Sequence, residues 1–317
     1  MIPATLALVG ALTYGAADFL GGLSARRLRS IVVTSLAAFA GLLAFLLLHL
    51  AWGGSWSAAD TLWGIGAGLV GVVALMLLYA CLAIGPMSIL SPLTAVVSAI
   101  APMLWGLLAK GETLSLVGYA GLGIALVAVV LVGFIPGEKV VRPSLRGVIM
   151  AIGSGVAIGG FLIILDHTSP SSGFTPLIAG RATSTLVTGA IVAVMVLVAL
   201  RRDGAASRAI DASPIPLGGT PTGHGDVEHA TQTLSVRITR QRAVILAVGC
   251  GVLDAAANAL LLIALRTGDL TVVSALTALY PGGTILLAGV VLRERVAGIQ
   301  WLGLVLALLA GGMLALA

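Results

Sequence analysis

Residues 83–126 read AIGPMSILSPLTAVVSAIAPMLWGLLAKGETLSLVGYAGLGIAL, and residues 266–308 read RTGDLTVVSALTALYPGGTILLAGVVLRERVAGIQWLGLVLAL. The two stretches run in parallel. Each has a hairpin glycine, a Ser/Thr-bearing apolar helix with a proline inside it, a basic residue, a glutamate and a glycine-containing apolar helix. With Gly85 set on Gly268, Ser88 meets Thr271, Ser91 meets Ser274 and Thr94 meets Thr277, and the register slips by one residue before Glu112 and Glu294. Each stretch holds two segments of about 20 residues, the length that crosses roughly 30 Å of hydrocarbon. An internal repeat of this kind implies a duplicated architecture.

Composition agrees with a membrane setting. Of 317 residues, 59% are hydrophobic and only 9% are charged, and the mean hydropathy is +1.14. So few charges cannot cover the surface of a soluble protein of this size, which also excludes a disordered chain or a nucleic-acid-binding domain despite the net charge of +5. The two cysteines, Cys81 and Cys250, lie in apolar runs and form no disulfide framework. The 42 glycines sit mainly inside those runs, where small residues let membrane helices approach closely. The expected fold is all-α and polytopic, with ten transmembrane helices near 2–22, 31–52, 61–84, 87–109, 114–135, 145–165, 174–200, 243–265, 270–292 and 297–317. The first segment has no basic leader and carries Asp18, so it reads as a retained helix rather than a cleaved signal.

Residues 201–242 break the pattern. They are polar, rich in Gly, Pro, Ser and Thr, and lack a helical period, so they cannot bury enough apolar surface to offset their ordering entropy. A disordered loop is expected. Its His224, Asp226, Glu228 and His229 read as a solvated linker rather than a metal site, because a flexible loop supplies no fixed ligand geometry.

Assigning the loops alternately to two faces puts Arg26, Arg27, Arg29, Lys139, Arg142, Arg146, Arg201, Arg202, Arg208, Arg237, Arg240, Arg242, Arg293 and Arg295 on one side and Lys110 and Arg266 on the other. The positive-inside bias makes the first face cytoplasmic and leaves both termini outside, in a cell membrane. Spans 3–5 resemble spans 8–10, which divides the chain into two five-helix halves, 1–135 and 145–317. Five is odd, so the second half enters the membrane inverted. Inverted repeats point to a transporter with a site near the midplane.

The sequence resembles the drug/metabolite transporter superfamily, in its ten-helix branch of two EamA repeats. The matching residues are LAIGPMSILSPLTAV and KGETLSLVGYAGLGIAL in the first half, and ALRTGDLTVVSALTALYPGGTILLAGVVLRERVAGIQWLGL in the second. Arg181 in TPLIAGRATSTL matches an Arg often found early in the second helix of a repeat. The resemblance implies a membrane transporter with no cofactor. It departs from the charge pattern at one point, since the family usually keeps both termini cytoplasmic.

Three ionisable residues lie within spans: Asp18, Arg181 and Asp254. Each costs about 2.5–3.5 kcal/mol at a helix centre, so each needs a partner or a functional reason. At about 1.5 Å per residue, Asp254 lies roughly 17 Å from the basic face, with Asn258 and Arg181 one turn farther. Asp18 is nearer that face, too far for a direct pair with Arg181. Arg181 shares a helical stripe with Ser184, Thr185 and Thr188, while Cys250, Asp254 and Asn258 form another. Thr271, Ser274, Thr277 and Pro281 line one face of span 9, and Ser88, Ser91, Ser98 and Pro102 do so on span 4. These stripes face a cavity or act as interhelical glue, and Arg181 with Asp254 forms either a binding site or a static lock. Glu112 and Glu294 read as caps of the helices that follow them. Pro92, Pro102 and Pro281 each free the carbonyl four residues back, which predicts kinks and gating in spans 4 and 9.

The functional reading is a secondary transporter of small metabolites such as amino acids, ion-driven or facilitative, by alternating access of the inverted repeats. The substrate-binding candidates are Arg181, Asp254, Asn258, Ser184, Tyr14, Tyr79, Tyr280, Ser91 and Ser274. Asp254 and Asp18 are the candidates for proton coupling. Tyr14, Tyr79, Tyr280 and Asp254 would equally suit an organic cation, which keeps a multidrug efflux carrier open. An intramembrane enzyme is the weaker reading: Gly153-Ser154-Gly155 resembles a nucleophile context but has no base at its depth. The expected partners are a small-molecule substrate, the lipid bilayer and protons, with no nucleic acid and no metal. The chain is expected as a monomer or homodimer.

Overall fold

The computed structural model describes residues 2–25, 27–84, 87–132, 144–203, 207–211, 239–291 and 298–316; within them, the side chains of 52, 76, 78–84, 87–92, 132, 203, 207–208, 284–285, 288–289, 291 and 315 are outside the description. The helices are α1 (Ile2–Ala25), α2 (Ser30–Trp52), α3 (Ala58–Ile84), α4 (Met87–Leu108), α5 (Leu116–Val132), α6 (Leu145–Asp166), α7 (Thr175–Asp203), α8 (Arg240–Thr267), α9 (Leu270–Thr277), α10 (Tyr280–Val291) and α11 (Gly298–Ala315). Six of the described helices are long and apolar enough to cross a membrane: α1, α2, α3, α6, α7 and α8. The fold is that of an all-α, polytopic membrane protein.

Local sequence sets several helix starts. Ser144, Thr239, Ser115 and Ser57 accept from the backbone N–H three residues on, at 3.1, 3.3, 3.2 and 3.0 Å, opening α6, α8, α5 and α3. Each satisfies one donor that a helix N-terminus would otherwise leave orphaned.

Small residues decide which helices meet. On α1, Ala4, Ala7, Ala11 and Gly15 are buried, and on α8 Ala243, Ala247, Gly251 and Ala255 are buried at four-residue spacing. These stripes let α1 and α8 form the most extensive pairing among the described residues. At Gly251, an added Cβ would stand 2.7 Å from Ala37 Cα of α2, so α2 and α8 approach as only glycine allows.

The other large pairings are α3 with α6, α5 with α11, α4 with α6, α3 with α7, α2 with α8, α2 with α7, and α1 with α10. Exchange α1 with α6, α2 with α7, α3 with α8, α4 with α9–α10 and α5 with α11. Each of these pairings then maps onto itself or another. The helices group crosswise: α3, α4, α6 and α7 form one bundle, and α1, α2, α8 and α9–α10 form another.

Span 9 is not one helix. It breaks between Thr277 and Tyr280, just ahead of Pro281, where Leu279 N–H turns to the Leu276 carbonyl at 3.2 Å. By contrast α4 runs as a single helix through both prolines. Gly159 of α6 explains how Pro102 is tolerated. A Cβ there would lie 2.8 Å from Pro102 Cδ and 3.2 Å from the Ser98 carbonyl that the proline frees, so α6 packs directly on that site.

The polar connection is shorter than the composition suggested. Helix α7 continues to Asp203 and α8 begins at Arg240. Residues 207–211 dock on the α1–α2 turn, where Arg29 N–H donates to the Ile210 carbonyl at 2.9 Å and Leu28 bridges Asp211. Buried Leu28 anchors this contact with Val33, Ala243 and Ala247. His224, Asp226, Glu228, His229 and the rest of 212–238 lie outside the described residues.

Candidate transport site

A cavity of about 120 Å³ enters from the basic α1–α2 end. Its lining includes Ala25 and Ser30 beside the α1–α2 turn, glycines and alanines of α1 and α2, and Asp18, Cys250, Asp254 and Arg181. It lies between the two crosswise bundles, because Arg181 comes from one and Asp254 from the other.

Arg181 Nη2 donates to Asp254 Oδ2 in a salt bridge. The two side chains keep 21% and 25% of their surface accessible, so the pair is reachable through the cavity rather than sealed. Asn258, one turn along α8, donates from Nδ2 to the Asp254 carbonyl at 2.8 Å and to Oδ2 at 3.3 Å. It thereby fixes the carboxylate that Arg181 meets. Tyr14 stands beside Asn258 and within electrostatic reach of Asp254, Arg181 and Asp18. Asp18 lines the same cavity and is felt by Asp254 and Cys250; the ion pair is made by Asp254.

Several expected contributors stand elsewhere. Ser184 reaches the Gly68 carbonyl of α3 at 3.4 Å, away from the cavity. Ser274 is buried and bonds the Thr271 carbonyl of its own helix at 3.1 Å. Thr271 is also fully buried, with its hydroxyl 3.3 Å from the Met103 carbonyl of α4. Of the α9 stripe, Thr271 meets α4, whereas Ser274 bonds within its own helix. Ser98 is likewise buried, on the Ala95 carbonyl at 2.8 Å. Tyr280 opens α10 and is partly buried. Pro102 and Pro281 are in α4 and at the α9–α10 break, while the side chains of Tyr79, Ser88, Ser91 and Pro92 lie outside the description. Ser154 donates to the Ala74 carbonyl at 2.8 Å and is fully buried, which is a packing role.

A polar layer lies at the Lys110 end of the molecule. Lys110 bridges Asp166 at 2.9 Å and Glu112 at 3.4 Å. Burial alone would lower the Lys110 ammonium, but the Asp166 bond and the two carboxylate charges hold it above its usual value. Asp60 accepts from Ser169 N–H at 2.8 Å and from its hydroxyl at 2.7 Å. Arg266 of α8 donates to the Ser169 carbonyl at 3.1 Å and to Ser172 Oγ at 3.0 Å, joining the two bundles. Glu112 also had a visible sequence signal, its place in the repeat, but its partner in the other half was not readable. Among the described residues no group of three His, Cys, Asp or Glu could hold a metal ion.

Residues 230–316, which span α8 to α11, match the EamA-like transporter family. That agrees with the resemblance read from Arg266 onward. A solved crystal structure whose description names no activity superimposes with a TM-score of 0.68 at 18% identity, covering 99% of this chain and 96% of that one. This likeness shows a shared fold across the whole length. No curated protein matches in sequence.

Proposed function

We propose that the protein is a secondary transporter of small metabolites such as amino acids, ion-driven or facilitative, that works by alternating access at Arg181 and Asp254. One observation carries the reading: a cavity reaches an accessible ion pair whose partners belong to different bundles. A zwitterion can exchange its carboxylate and ammonium for the two protein charges, so loading the site loosens the contact that joins the bundles. The EamA match at 230–316 and the exchange pattern of the helix pairings support two inverted repeats, 1–135 and 145–317. The bodies that move are then the crosswise bundles rather than the two halves of the sequence. Pro281, beside the α9–α10 break, serves as a gate, with Pro102 and Pro92 as its counterparts in α4.

Counterflow in proteoliposomes tests the reading. Radiolabelled amino acids, supplied one at a time, should enter faster when vesicles are preloaded with the same unlabelled compound. Linear, unsaturable flux for every compound, with no preloading effect, would discard it. A second reading, efflux of an organic cation, is favoured by two carboxylates, Asp18 and Asp254, around one guanidinium in the cavity; labelled tetraethylammonium is its probe. Protons are the proposed coupling ion, carried by Asp254 or Asp18, so Asp254→Asn should abolish uptake driven by a pH gradient. Undiminished coupling in both Asp254→Asn and Asp18→Asn removes protons from the scheme. The basic face is proposed as cytoplasmic, in the cell membrane, with both termini outside; single cysteines placed in 201–242 and labelled from either side decide this.

A further inference from the structure

The helix that follows Glu112 does not use it. Ser115 caps α5 instead. The Glu112 carboxylate crosses to the other bundle and the other half of the sequence, where it covers the N-terminus of α9. Oε1 accepts from Leu270 N–H at 3.0 Å, and Oε2 accepts from Thr271 N–H at 2.9 Å and from the Thr271 hydroxyl at 2.6 Å. Asp269, in the N-cap position, makes no side-chain cap of its own, so Glu112 supplies the acceptor that a helix start requires.

The site is built to hold this contact. Glu112 N–H returns to the Gly106 carbonyl at 3.0 Å, folding the α4–α5 connection back on α4. A Cβ at Gly106 would lie against both Glu112 Oε2 and the Thr271 hydroxyl, so the glycine provides the space. Only 7% of the Glu112 side chain is exposed, and Leu270 and Thr271 are fully buried. At the basic face, by comparison, the Arg27–Asp211 pair is 41% and 23% exposed. Exposed pairs of that kind contribute little, whereas a buried carboxylate on two helix N–H groups and a hydroxyl is a strong, charge-assisted contact.

We propose that Glu112 is the latch that keeps the pathway closed on the face opposite the cavity, by capping α9 across the bundle interface. Opening that face separates α4 from α9 and strips three donors of their acceptor at once. Water must replace it, so the latch opens only together with hydration of the pathway. The inference rests on the alternating-access reading for its role in transport, but the latch itself is a property of one contact.

The test uses the full chain in proteoliposomes, with Cys81 and Cys250 replaced by Ala and one reporter cysteine added. Ser274→Cys, buried on α9 one turn from Thr271, reports on that face, and Thr34→Cys on the cavity. A membrane-impermeant maleimide is applied separately from each side. Glu112→Gln keeps the shape and removes the charge, and should raise Ser274→Cys labelling about tenfold or more, the loss expected for one charged hydrogen bond. It should also slow Thr34→Cys labelling. Unchanged labelling at Ser274→Cys overturns the latch. A rise there with Thr34→Cys unaffected supports the latch and refutes the alternation of the two faces. If Glu112→Gln does not fold, Thr271→Val removes the shortest of the three bonds and must still raise labelling; no rise in that variant overturns the latch too.

Discussion

Replacing Asp254 by Asn leaves the Arg181 guanidinium facing a neutral amide in a largely apolar interior. Breaking a fully buried ion pair costs about 3–5 kcal/mol. Here 21% and 25% of the two side chains remain accessible through the cavity, and solvent screening reduces the cost to about 1–3 kcal/mol. Asn258 moderates it further, since its bond to the Asp254 carbonyl survives the substitution. Arg181→Gln strands the carboxylate and costs a similar amount. The double variant strands neither charge, so its loss should be smaller than the sum of the singles by about 1–2 kcal/mol. Thermal unfolding of the four purified proteins in detergent gives this coupling, and counterflow of the same four gives transport. The expected pattern is that the double variant regains stability without regaining transport. Two results refute the reasoning: strictly additive losses, which mean that the pair is not coupled, or transport that returns with stability, which makes the pair a static lock.

Further outcomes follow from the packing and the polar layer. Gly251→Ala drives a methyl into the Ala37 backbone of α2; overpacking of this kind costs about 1–3 kcal/mol or more, measured as a lowered unfolding temperature. Ser154→Ala removes the bond to the Ala74 carbonyl and should cost about 1 kcal/mol while leaving transport rates unchanged; loss of an activity with stability intact would instead revive a nucleophile. The Glu112 carboxyl feels burial, which would raise it, but the Thr271 and Leu270 donors and Lys110 hold it below its ordinary value. Its contribution is therefore present above the ordinary value of about 4.3 and is lost as pH falls through the depressed one. Asp269 works in the opposite sense, being raised by burial and by Glu112, so taking up a proton there favours the closed state. Labelling of Ser274→Cys, divided at each pH by that of a free thiol to remove the loss of thiolate, should hold level or fall from neutrality to about pH 5; a rise over that range contradicts this assignment.

Much of the architecture could be read in advance because membrane helices leave simple marks. Run length gave the spans, and loop charge separated the two ends, at one of which the cavity opens. The Arg181–Asp254 pair was legible from depth, since a guanidinium one turn away from a carboxylate inside hydrocarbon can reach it and has few other partners. Less legible were side chains whose surroundings are set by distant segments. The α9 stripe of Thr271 and Ser274 has the spacing of a cavity wall, and only the arrival of α4 makes Thr271 a contact. Glu112 sits where a local cap belongs, yet Ser115 takes that role and frees it for a helix 158 residues away. Ser184 shares a face with Arg181, but close approach at Gly68 turns that part of α7 toward α3.

The crosswise helix pairing bears on how the protein is made. While α1 to α5 are being inserted, the best partners of α1, α3 and α5 have not yet been translated. Association in the bilayer relies on close packing rather than on expulsion from water, so the early helices must wait, loosely held and open to membrane proteases. The first half should be short-lived when produced alone. Supplied in trans, residues 145–317 should rescue it, as two strands of a zip hold only once both are present.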